Sequence, residues 1–418
     1  MSTLREDAFT IIKKAIEESL PDQAVKEALT KLPEVKGKIQ LLAIGKAAWQ
    51  MSKTASDFLG ERIDKGICIT KYNHSKGHIR NIEVYEAGHP IVDENAITAT
   101  RKAEEMVADS DPNDLVIVLI SGGGSALFED PCVDLTTLQN ITGQLLSCGA
   151  DIREINTIRK RLSFVKGGKF ALQCMPARVF TVILSDIIHD PLDMIASGPC
   201  YKDTSTCLDA LQIVDKYRLK ISDEVIKLLN IETPKDLTNV TTYVGGSITK
   251  LCKSACNYAE KLGYKPVFLT SSLQCEAKEA GSFLASIACD HSETDQNLAF
   301  ISGGETVVHI HGKGKGGRNQ ELAIQAAACI EGLNNCCIFS VGSDGTDGPT
   351  DAAGGYVDGN TATSLKSLGI CIDEILENND SYHALQSCNG LIKTGPTGTN
   401  VNDLSVILIR RKQNQNSL

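Results

Sequence analysis

Short apolar runs alternate with amphipathic stretches along most of the chain. A first series of runs, rich in β-branched residues, predicts strands at 39–44, 66–70, 82–86, 115–120 and 179–184. A second series predicts strands at 240–244, 266–270, 297–301, 306–311, 337–341 and 404–410. Apolar residues at helical spacing lie between many of these runs and predict helices, for example at 47–59, 95–108, 248–262 and 319–330. Strands that alternate with helices are typical of parallel sheets covered by helices on both faces.

The two series of strands predict an α/β protein with two α/β/α three-layer domains. We expect mostly parallel, Rossmann-like sheets around an interdomain cleft. The length of 418 residues fits two or three domains. A polar stretch with little helical pattern, residues 230–238, separates the two series, so the predicted domains span 1–235 and 236–418. Ligands of open parallel sheets bind where strands end and helices begin, and the glycine clusters of this chain lie at such junctions.

Composition and charge narrow the classes of protein. The formal net charge of −10 argues against a general nucleic-acid-binding surface, which needs basic patches. The 15 cysteines are scattered and odd in number, which indicates free thiols in a reducing compartment. Residues 1–20 form an amphipathic, partly acidic pattern without a signal-peptide core, and the longest apolar run, 115–120, is too short to cross a bilayer. We therefore expect a cytoplasmic protein without a membrane or nucleic-acid partner.

Two junctions in the first half are candidate anion sites. Gly45 and Lys46 follow the predicted strand 39–44 at the start of a helix, where backbone donors already favour an anion. The segment SGGGSAL, residues 121–127, follows a buried strand, and its glycines let backbone N–H groups approach a ligand. Neither segment matches a P-loop or a dinucleotide fingerprint. The alternatives are a solvated lysine and a tight turn with close helix packing.

Three carboxylates follow the predicted strand 179–184. Asp186, Asp190 and Asp193 lie within eight residues, in a loop that closes at Ser197, Gly198 and Pro199. Such a loop can bind Mg²⁺ or accept a proton from an alcohol. The alternative is that these residues serve turns and helix caps.

The second half carries a basic, glycine-rich loop that leads into a helix. Lys313, Lys315 and Arg318 are close to its glycines, Arg318 suits bidentate phosphate contact, and Asn319 can cap the helix. The loop has a P-loop-like glycine spacing but lacks the Lys and Ser/Thr of that motif.

Two further patterns suggest metal ions only weakly. His309 and His311 alternate on one face of the predicted strand 306–311, which is either a two-histidine site or an ordinary strand face. Asp344, Asp347 and Asp351 form an acidic loop that lacks the spacing and the closing Glu of an EF-hand. A turn that lines the cleft is the favoured interpretation of this loop.

Nine motifs occur in order along the chain. They are IGKAA (44–48), GHP with Asp93 (88–93), SGGGSAL (121–127), INTIRKRLSFVKGGKFA (155–171), LSDIIHDPLDMIASGP (184–199), GGE (303–305), GGRNQELA (316–323), GSDGTDGPTDAAGG (342–355) and GPTGTNVND (395–403). In this order the chain resembles, over nearly its whole length, the class II glycerate kinase family, whose C-terminal half is the MOFRL domain. It departs from the family pattern at Arg161, where His is frequent, and at Lys169, where Arg is common.

The resemblance implies a kinase that transfers the γ-phosphoryl group of ATP to glycerate, usually giving 2-phosphoglycerate. It implies catalytic roles for Lys46, Arg318 and one of Asp186 and Asp190, and these two carboxylates are our candidates for Mg²⁺. The protein is expected to be a monomer or a homodimer. The further residues expected to contact ATP or substrate are Gly45, Ser121, Gly122, Gly123, Gly124, Ser125, Lys166, Gly303, Gly304, Glu305, Asn319 and Asp347.

Two alternatives to a kinase stay open at this point. A hydroxy-acid oxidoreductase would need a G-x-G-x-x-G turn after the first strand, and the sequence lacks one there. A non-catalytic regulator that binds sugar phosphates would need no Lys–Asp–Arg set, and fold analogy alone does not exclude it.

Overall fold

The computed structural model describes residues 3–185 and 191–412. These residues divide into two compact units. The first unit comprises 21–185 and 191–245, and the second comprises 3–20 and 246–412. The division therefore falls at 245/246, whereas the sequence predicts 235/236. The first helix, α1 (Leu4–Glu18), belongs to the second unit because its apolar face packs into that unit's core.

The first unit contains a six-stranded sheet. Its strands are β1 (Ile39–Ile44), β2 (Ile63–Lys71), β3 (Ile82–Ala87), β4 (Leu115–Ile120), β5 (Arg178–Leu184) and β6 (Val240–Gly246), in the order β3-β2-β1-β4-β5-β6. The pairs β2/β3, β1/β2, β1/β4 and β4/β5 are all parallel. β1 and β4 are buried along their whole length. The continuous apolar sequence of β4 predicts this burial, and β1 is apolar except at Gln40.

Helices cover this sheet and continue beyond it. They are α2 (Pro21–Leu29), α3 (Ala48–Leu59), α4 (Glu94–Val107), α5 (Gly124–Leu127), α6 (Leu135–Ser147), α7 (Ile152–Arg161), α8 (Lys169–Gln173), α9 (Cys207–Tyr217) and α10 (Asp223–Leu229). Local signals fix several of their ends. Asp93 caps α4 by accepting the Ala96 N–H, and Asp151 with Glu154 forms a capping box on α7. A separate apolar cluster joins α6, α7, α9 and α10.

The second unit contains another six-stranded sheet. Its strands are β7 (Lys265–Leu273), β8 (Leu298–Gly304), β9 (Cys336–Gly342), β10 (Gly354–Asp358), β11 (Leu391–Ile392) and β12 (Asp403–Ile409), in the order β11-β10-β9-β12-β8-β7. The pair β7/β8 is parallel, whereas β8/β12, β9/β12, β9/β10 and β10/β11 are antiparallel. The prediction of a mostly parallel sheet is therefore wrong for this unit. The second sheet is mainly antiparallel for two reasons. β12 inserts between β8 and β9 in the opposite direction, and the loop from β9 to β10 is too short for the helical crossover that a parallel pair needs.

Helices pack on both faces of the second sheet, which confirms the three-layer prediction here. They are α11 (Ile248–Lys261), α12 (Ala277–Asp290), α13 (Arg318–Cys329), α14 (Thr361–Ser367), α15 (Ile372–Glu377) and α16 (Ser381–Ser387). One core joins α1 and α11 to one face, and another joins α12 and α13 to the other. Within the described residues, no helix is both long and apolar enough to cross a membrane.

The predicted strand 306–311 is wrong. Only a single bridge, between Val307 and Glu276, forms there. Both neighbouring positions of β8 are already taken by β7 and β12, so this alternating segment has no strand to pair with. Its apolar side chains Val307 and Ile310 are 53% and 79% exposed, which a half-buried strand would not allow.

Candidate functional site

The first candidate site lies where β1 and β4 end. The sheet runs from β1 outward to β3 in one direction and from β4 onward in the other, so this is the point where the strand order reverses. Gly45 follows β1 with φ of +116°, and a Cβ there would lie 2.3 Å from the Ser121 Oγ. Only glycine fits this close approach. The Lys46 N–H donates to the Gly122 carbonyl (2.9 Å) and the Ala47 N–H to the Ser121 Oγ (3.1 Å), which ties the two turns together.

Backbone donors are concentrated in the turn after β4. Among the hydrogen bonds of the described residues, none uses the N–H groups of the four consecutive residues 122–125. Gly123 has a left-handed φ of +86° and α5 begins at Gly124, a conformation that presents successive N–H groups to an anion. The exposed Lys46 side chain passes the same turn, since a Cβ on Gly123 would lie 3.3 Å from the Lys46 Cγ. The structure therefore brings together the predicted residues Gly45, Lys46 and 121–125.

His89 is a member of this site that we had not assigned. A Cβ on Gly123 would lie 3.0 and 3.1 Å from the His89 Cδ2 and Nε2, so the imidazole is adjacent to the turn. Burial lowers the pKa of His89, and the nearby charge of Lys46 lowers it further. The imidazole is therefore neutral at pH 7. The GHP motif was the only signal in the sequence.

Strained backbone adjoins the same turn. The Ser197 Oγ lies 2.9 Å from the Ser125 Oγ and 2.8 Å from the Asn156 Oδ1. Ala196 and Ser197 have φ of +51° and +60°, conformations that cost about 1–3 kcal/mol each in non-glycine residues and cluster at functional sites. Asn156 and Ser197 were not singled out from the sequence because their proximity depends on the fold.

The interpretation of Lys166 as a substrate-binding cation is corrected by its surroundings. Its side chain is fully buried, and its Nζ donates to the Ser125 carbonyl (2.9 Å) and the Phe128 carbonyl (2.5 Å). Glu129 Oε2 lies 3.3 Å away. Burial lowers the pKa of Lys166 to about 8. All three ammonium protons are thus directed at protein atoms.

Two predicted residues, Asp186 and Asp190, lie outside the described residues. The third carboxylate of that loop, Asp193, pairs with the buried Lys160 Nζ (3.1 Å) and accepts from the Thr204 hydroxyl (2.9 Å). Lys160 also pairs with Asp203 (3.0 Å), so Asp193 belongs to a buried ion network.

Arg318 is the centre of the second candidate site, in the second unit. Its Nε and Nη2 donate to the two carboxylate oxygens of Asp403 (2.6 and 3.1 Å), and its Nη1 donates to Glu305 (3.0 Å). Asp403 begins β12 and Glu305 follows β8, so the cluster lies at one edge of the sheet. Burial raises the pKa of Asp403 to about 6, although the guanidinium opposes that shift. The Arg318 side chain is 34% exposed, and one N–H on each Nη has no partner among the described contacts.

Asn319 and Asp347 lie beside Arg318 but are bonded to each other. The buried Asp347 carboxylate accepts the backbone N–H groups of Asn319 (3.2 Å) and Gln320 (2.9 Å) at the start of α13. The Asn319 Oδ1 accepts from the Ser340 hydroxyl (2.5 Å). These contacts orient the helix that carries Arg318 and occupy the N–H groups of its second and third residues. The Asp347 carboxylate is therefore engaged within the protein, which argues against direct ligand binding by Asp347.

Gly303 and Gly304 serve packing in the structure. Both belong to β8, and a Cβ on Gly303 would lie 2.5 Å from the Cys252 Sγ, whereas one on Gly304 would lie 2.2 Å from the Leu273 carbonyl oxygen. Close strand and helix contact therefore explains these glycines without a ligand.

Among the described residues, no cluster of three His, Cys, Asp or Glu side chains could hold a metal ion. His309 and His311 stack with ring centroids 6.5 Å apart, without a third ligand.

The fold and these two sites define a two-unit α/β protein with a strand junction lined by backbone N–H groups and an arginine held by carboxylates. Residues 7–230 match a family described as a domain of unknown function, DUF4147, and residues 298–403 match the MOFRL family. D-glycerate 2-kinase of Thermotoga maritima is 50% identical over 413 residues, which cover 97% of this chain and 99% of that protein. Glycerate 2-kinase of Pyrococcus horikoshii is 39% identical and covers 98% of each chain.

A solved structure shows the same similarity. The crystal structure of glycerate kinase from Thermotoga maritima matches 97% of this chain and 99% of that protein's chain, with a TM-score of 0.93 and 50% sequence identity. The chain belongs to the glycerate kinase family that carries the MOFRL domain.

Proposed function

We propose that this chain transfers the γ-phosphoryl group of ATP to D-glycerate and releases 2-phosphoglycerate and ADP. The observation that carries the proposal is the row of N–H groups at 122–125, which have no partner among the described residues and lie beside Lys46 at the reversal point of a parallel sheet. The substrate is inherited from relatives named D-glycerate 2-kinase and glycerate 2-kinase, which match nearly the whole chain.

Phosphoryl transfer needs alignment and charge neutralisation more than covalent chemistry. The N–H groups of 122–125 are proposed to bind phosphoryl oxygens, because fixed backbone dipoles need no reorganisation as charge develops. The Lys46 ammonium, on a turn that is hydrogen-bonded to the turn after β4, would add a full positive charge at the same place. The neutral His89 imidazole can form a hydrogen bond with the glycerate that accepts the phosphoryl group, without adding charge.

In the second unit, Arg318 is proposed to bind phosphate oxygens of the nucleotide. Three of its five N–H groups are held by Asp403 and Glu305, so the guanidinium plane is fixed before a ligand arrives. The remaining N–H on each Nη suits an oxyanion with two accepting oxygens.

Asp186 is our proposed base for the glycerate hydroxyl, in preference to Asp190. It is the second residue after β5, whereas Asp190 precedes Pro191, which favours an extended backbone and a turn. Asp186→Asn should then reduce kcat by roughly two to four decades, the range of a general base. Asp190→Asn should instead weaken the apparent affinity for Mg²⁺. A crippled Asp190→Asn beside a nearly normal Asp186→Asn would reverse the assignment.

Mg²⁺ is proposed as a partner of ATP that neutralises charge on its phosphates. Among the described residues, no cluster of three or more His, Cys, Asp or Glu side chains could hold the ion, so no step is assigned to it here. Full activity in excess chelator would contradict the requirement.

Coupled ADP release from Mg-ATP tests the proposal, with D-glycerate, L-glycerate and no acceptor as parallel reactions. Phosphorus NMR of the product identifies the position, because a phosphate on the 2-oxygen is coupled to one proton and a phosphate on the 3-oxygen to two. A further reaction with hydroxypyruvate and NADH tests the oxidoreductase alternative. ADP release that does not depend on any glycerate would refute the kinase and leave the regulator.

A further inference from the structure

Two cationic side chains contact carbonyl groups of the turn, and a carboxylate links the two cations. The N–H groups of residues 122–125 in this turn have no partner among the described residues. The Lys166 Nζ donates to the carbonyls of Ser125 (2.9 Å) and Phe128 (2.5 Å). The Arg159 Nη2 donates to the same Ser125 carbonyl (2.8 Å). Glu129 Oε2 lies 3.2 Å from Arg159 and 3.3 Å from Lys166, and so links the two cations. One carbonyl oxygen of the turn therefore accepts from two positive charges.

This cluster is almost completely removed from water. The side chains of Lys166 and Glu129 are 0% exposed and that of Arg159 is 12% exposed. Two cations face one carboxylate, and burial of an ion is unfavourable unless its partners compensate. The carbonyls at the C-terminal end of α5 supply part of that compensation, since they carry partial negative charge. Apolar side chains would fill the same space without this cost, so packing alone does not account for the charges.

Helical geometry connects the cluster to the opposite side of the turn. In α5, carbonyl groups point along the chain and N–H groups point back toward its start. When cationic side chains bind the carbonyls at the C-terminal end of this segment, its N–H groups are presented at the N-terminal end. These are the four N–H groups of 122–125, which have no partner among the described residues.

We infer that Glu129, Arg159 and Lys166 are positioning residues that hold the N–H groups of 122–125 in the orientation that binds phosphoryl oxygens. The catalytic consequence of this inference rests on the proposed function. The structural part, that the cluster orders the turn, does not depend on which substrate the protein uses.

Lys166→Met tests the inference, with Lys169→Met as a matched control. Lys169 lies three positions away and also donates to two backbone carbonyls, those of Lys160 (3.1 Å) and Ser163 (2.5 Å), but neither belongs to the turn. Lys166→Met should lower kcat about 10²-fold and change the KM for D-glycerate by less than about threefold. The reason is that misplaced N–H donors mainly reduce the stabilisation of the transition state and affect ground-state binding less. Lys169→Met should keep kcat within about threefold of the wild type.

Amide hydrogen exchange supplies a readout that needs no activity. The amides of Ala126 and Phe128 are bonded within the turn, to Gly123 (3.2 Å) and Gly124 (2.9 Å). They should exchange faster in Lys166→Met and at the wild-type rate in Lys169→Met. Equal loss of kcat in both variants, or unchanged exchange in Lys166→Met, would overturn the inference and reduce the cluster to general stabilisation.

Arg159→Met decides the matter if Lys166→Met does not fold. It removes one of the two donors to Ser125 while Lys166 still neutralises Glu129. The same fall in kcat and faster exchange are expected, and wild-type values for both would overturn the inference. If the wild-type protein shows no glycerate-dependent ADP release, the proposed function is refuted. The amide exchange rates of the variants still test the positioning role in that case.

Discussion

Lys46 has a fixed backbone and an exposed side chain, so its ammonium is available to a ligand without being needed for folding. We expect Lys46→Met to lower kcat by roughly two to five decades, the scale of single charge stabilisers at oxyanion and phosphoryl sites. The melting temperature should change little. Lys53→Met is the matched control, since Lys53 lies on α3 and pairs only with the surface carboxylate Asp57 among the described contacts. Near-normal turnover of Lys46→Met would place this cation outside the site.

The Arg318–Asp403 pair predicts a pH dependence with a definite sign. Burial raises the pKa of Asp403 to about 6, so the carboxylate becomes protonated as the pH falls through this value. The guanidinium then loses the charge that fixes its plane through Nε and Nη2. We expect kcat/KM for ATP to decrease below about pH 6 in the wild-type protein, measured from pH 5 to 9 at constant ionic strength.

Asp403→Asn is the control for this pH profile. Its kcat/KM should be lower than that of the wild type at pH 7.5, and the acidic decrease assigned to Asp403 should be absent. ATP also titrates in this range, and burial lowers the pKa of His89, so any decrease shared by both proteins is not assigned to Asp403. An identical acidic limb in both would refute the assignment to Asp403.

The contact partners of individual site residues could not be predicted where they come from distant parts of the chain. The sequence singled out Arg318 because an arginine after glycines suits phosphate, but Asp403 lies 85 positions away and only the insertion of β12 brings it close. Lys166 was misread for the same reason. A lysine in a KGG segment looks solvent-facing until the fold shows that Ser125 and Phe128 surround its ammonium.

The start of α13 depends on a cap supplied from another loop. Asp347 accepts the N–H groups of Asn319 and Gln320, so Asp347→Ala leaves two buried donors unpaired. A loss of about 1–3 kcal/mol in the free energy of unfolding is expected for such a change. Asp344→Ala is the matched control, because its carboxylate accepts only the Thr346 N–H within the same loop among the described bonds. Chemical denaturation of both variants measures the difference, and equal stability would contradict the capping role.

Elements with strong local signals were predictable, and those made by tertiary contact were not. The continuous apolar run of β4, and the run of β1 that is apolar except at Gln40, predicted the observed bounds of both strands. β10 was missed because it opens with Gly354 and Gly355, residues that disfavour strands, yet a Cβ on Gly354 would lie 1.9 Å from the Ser340 carbonyl oxygen. The glycines permit the close pairing that propensity does not register.

Two chemically different sites result from the two sheets. In the first unit, parallel strands collect Gly45 and Ser121 at one reversal point, so backbone donors dominate. In the second, the antiparallel β12 places Asp403 next to the end of β8, so carboxylates hold an arginine. Alternation of apolar runs predicted two α/β units from the sequence. It could not predict strand direction, because buried parallel and antiparallel strands share the same apolar pattern.

The division of the chain itself is testable, because α1 and α2 adjoin in sequence yet belong to different units. Ile12 of α1 packs with α11 and β12, whereas Leu29 of α2 packs with β1 and α3. Ile12→Ala and Leu29→Ala each remove a buried side chain and should cost about 2–5 kcal/mol. Hydrogen exchange should accelerate in α11 and β12 for the first variant, and in β1 and α3 for the second.

The paired design makes the outcome specific to the division. Each variant is the control for the other, since both shorten a buried aliphatic side chain in a helix of the first 30 residues. Exchange is compared under conditions that favour local opening over global unfolding, because only then do the two units report separately. If both variants accelerate exchange in the same strands, the first helix does not belong with the second sheet, and the division at residue 20 is wrong.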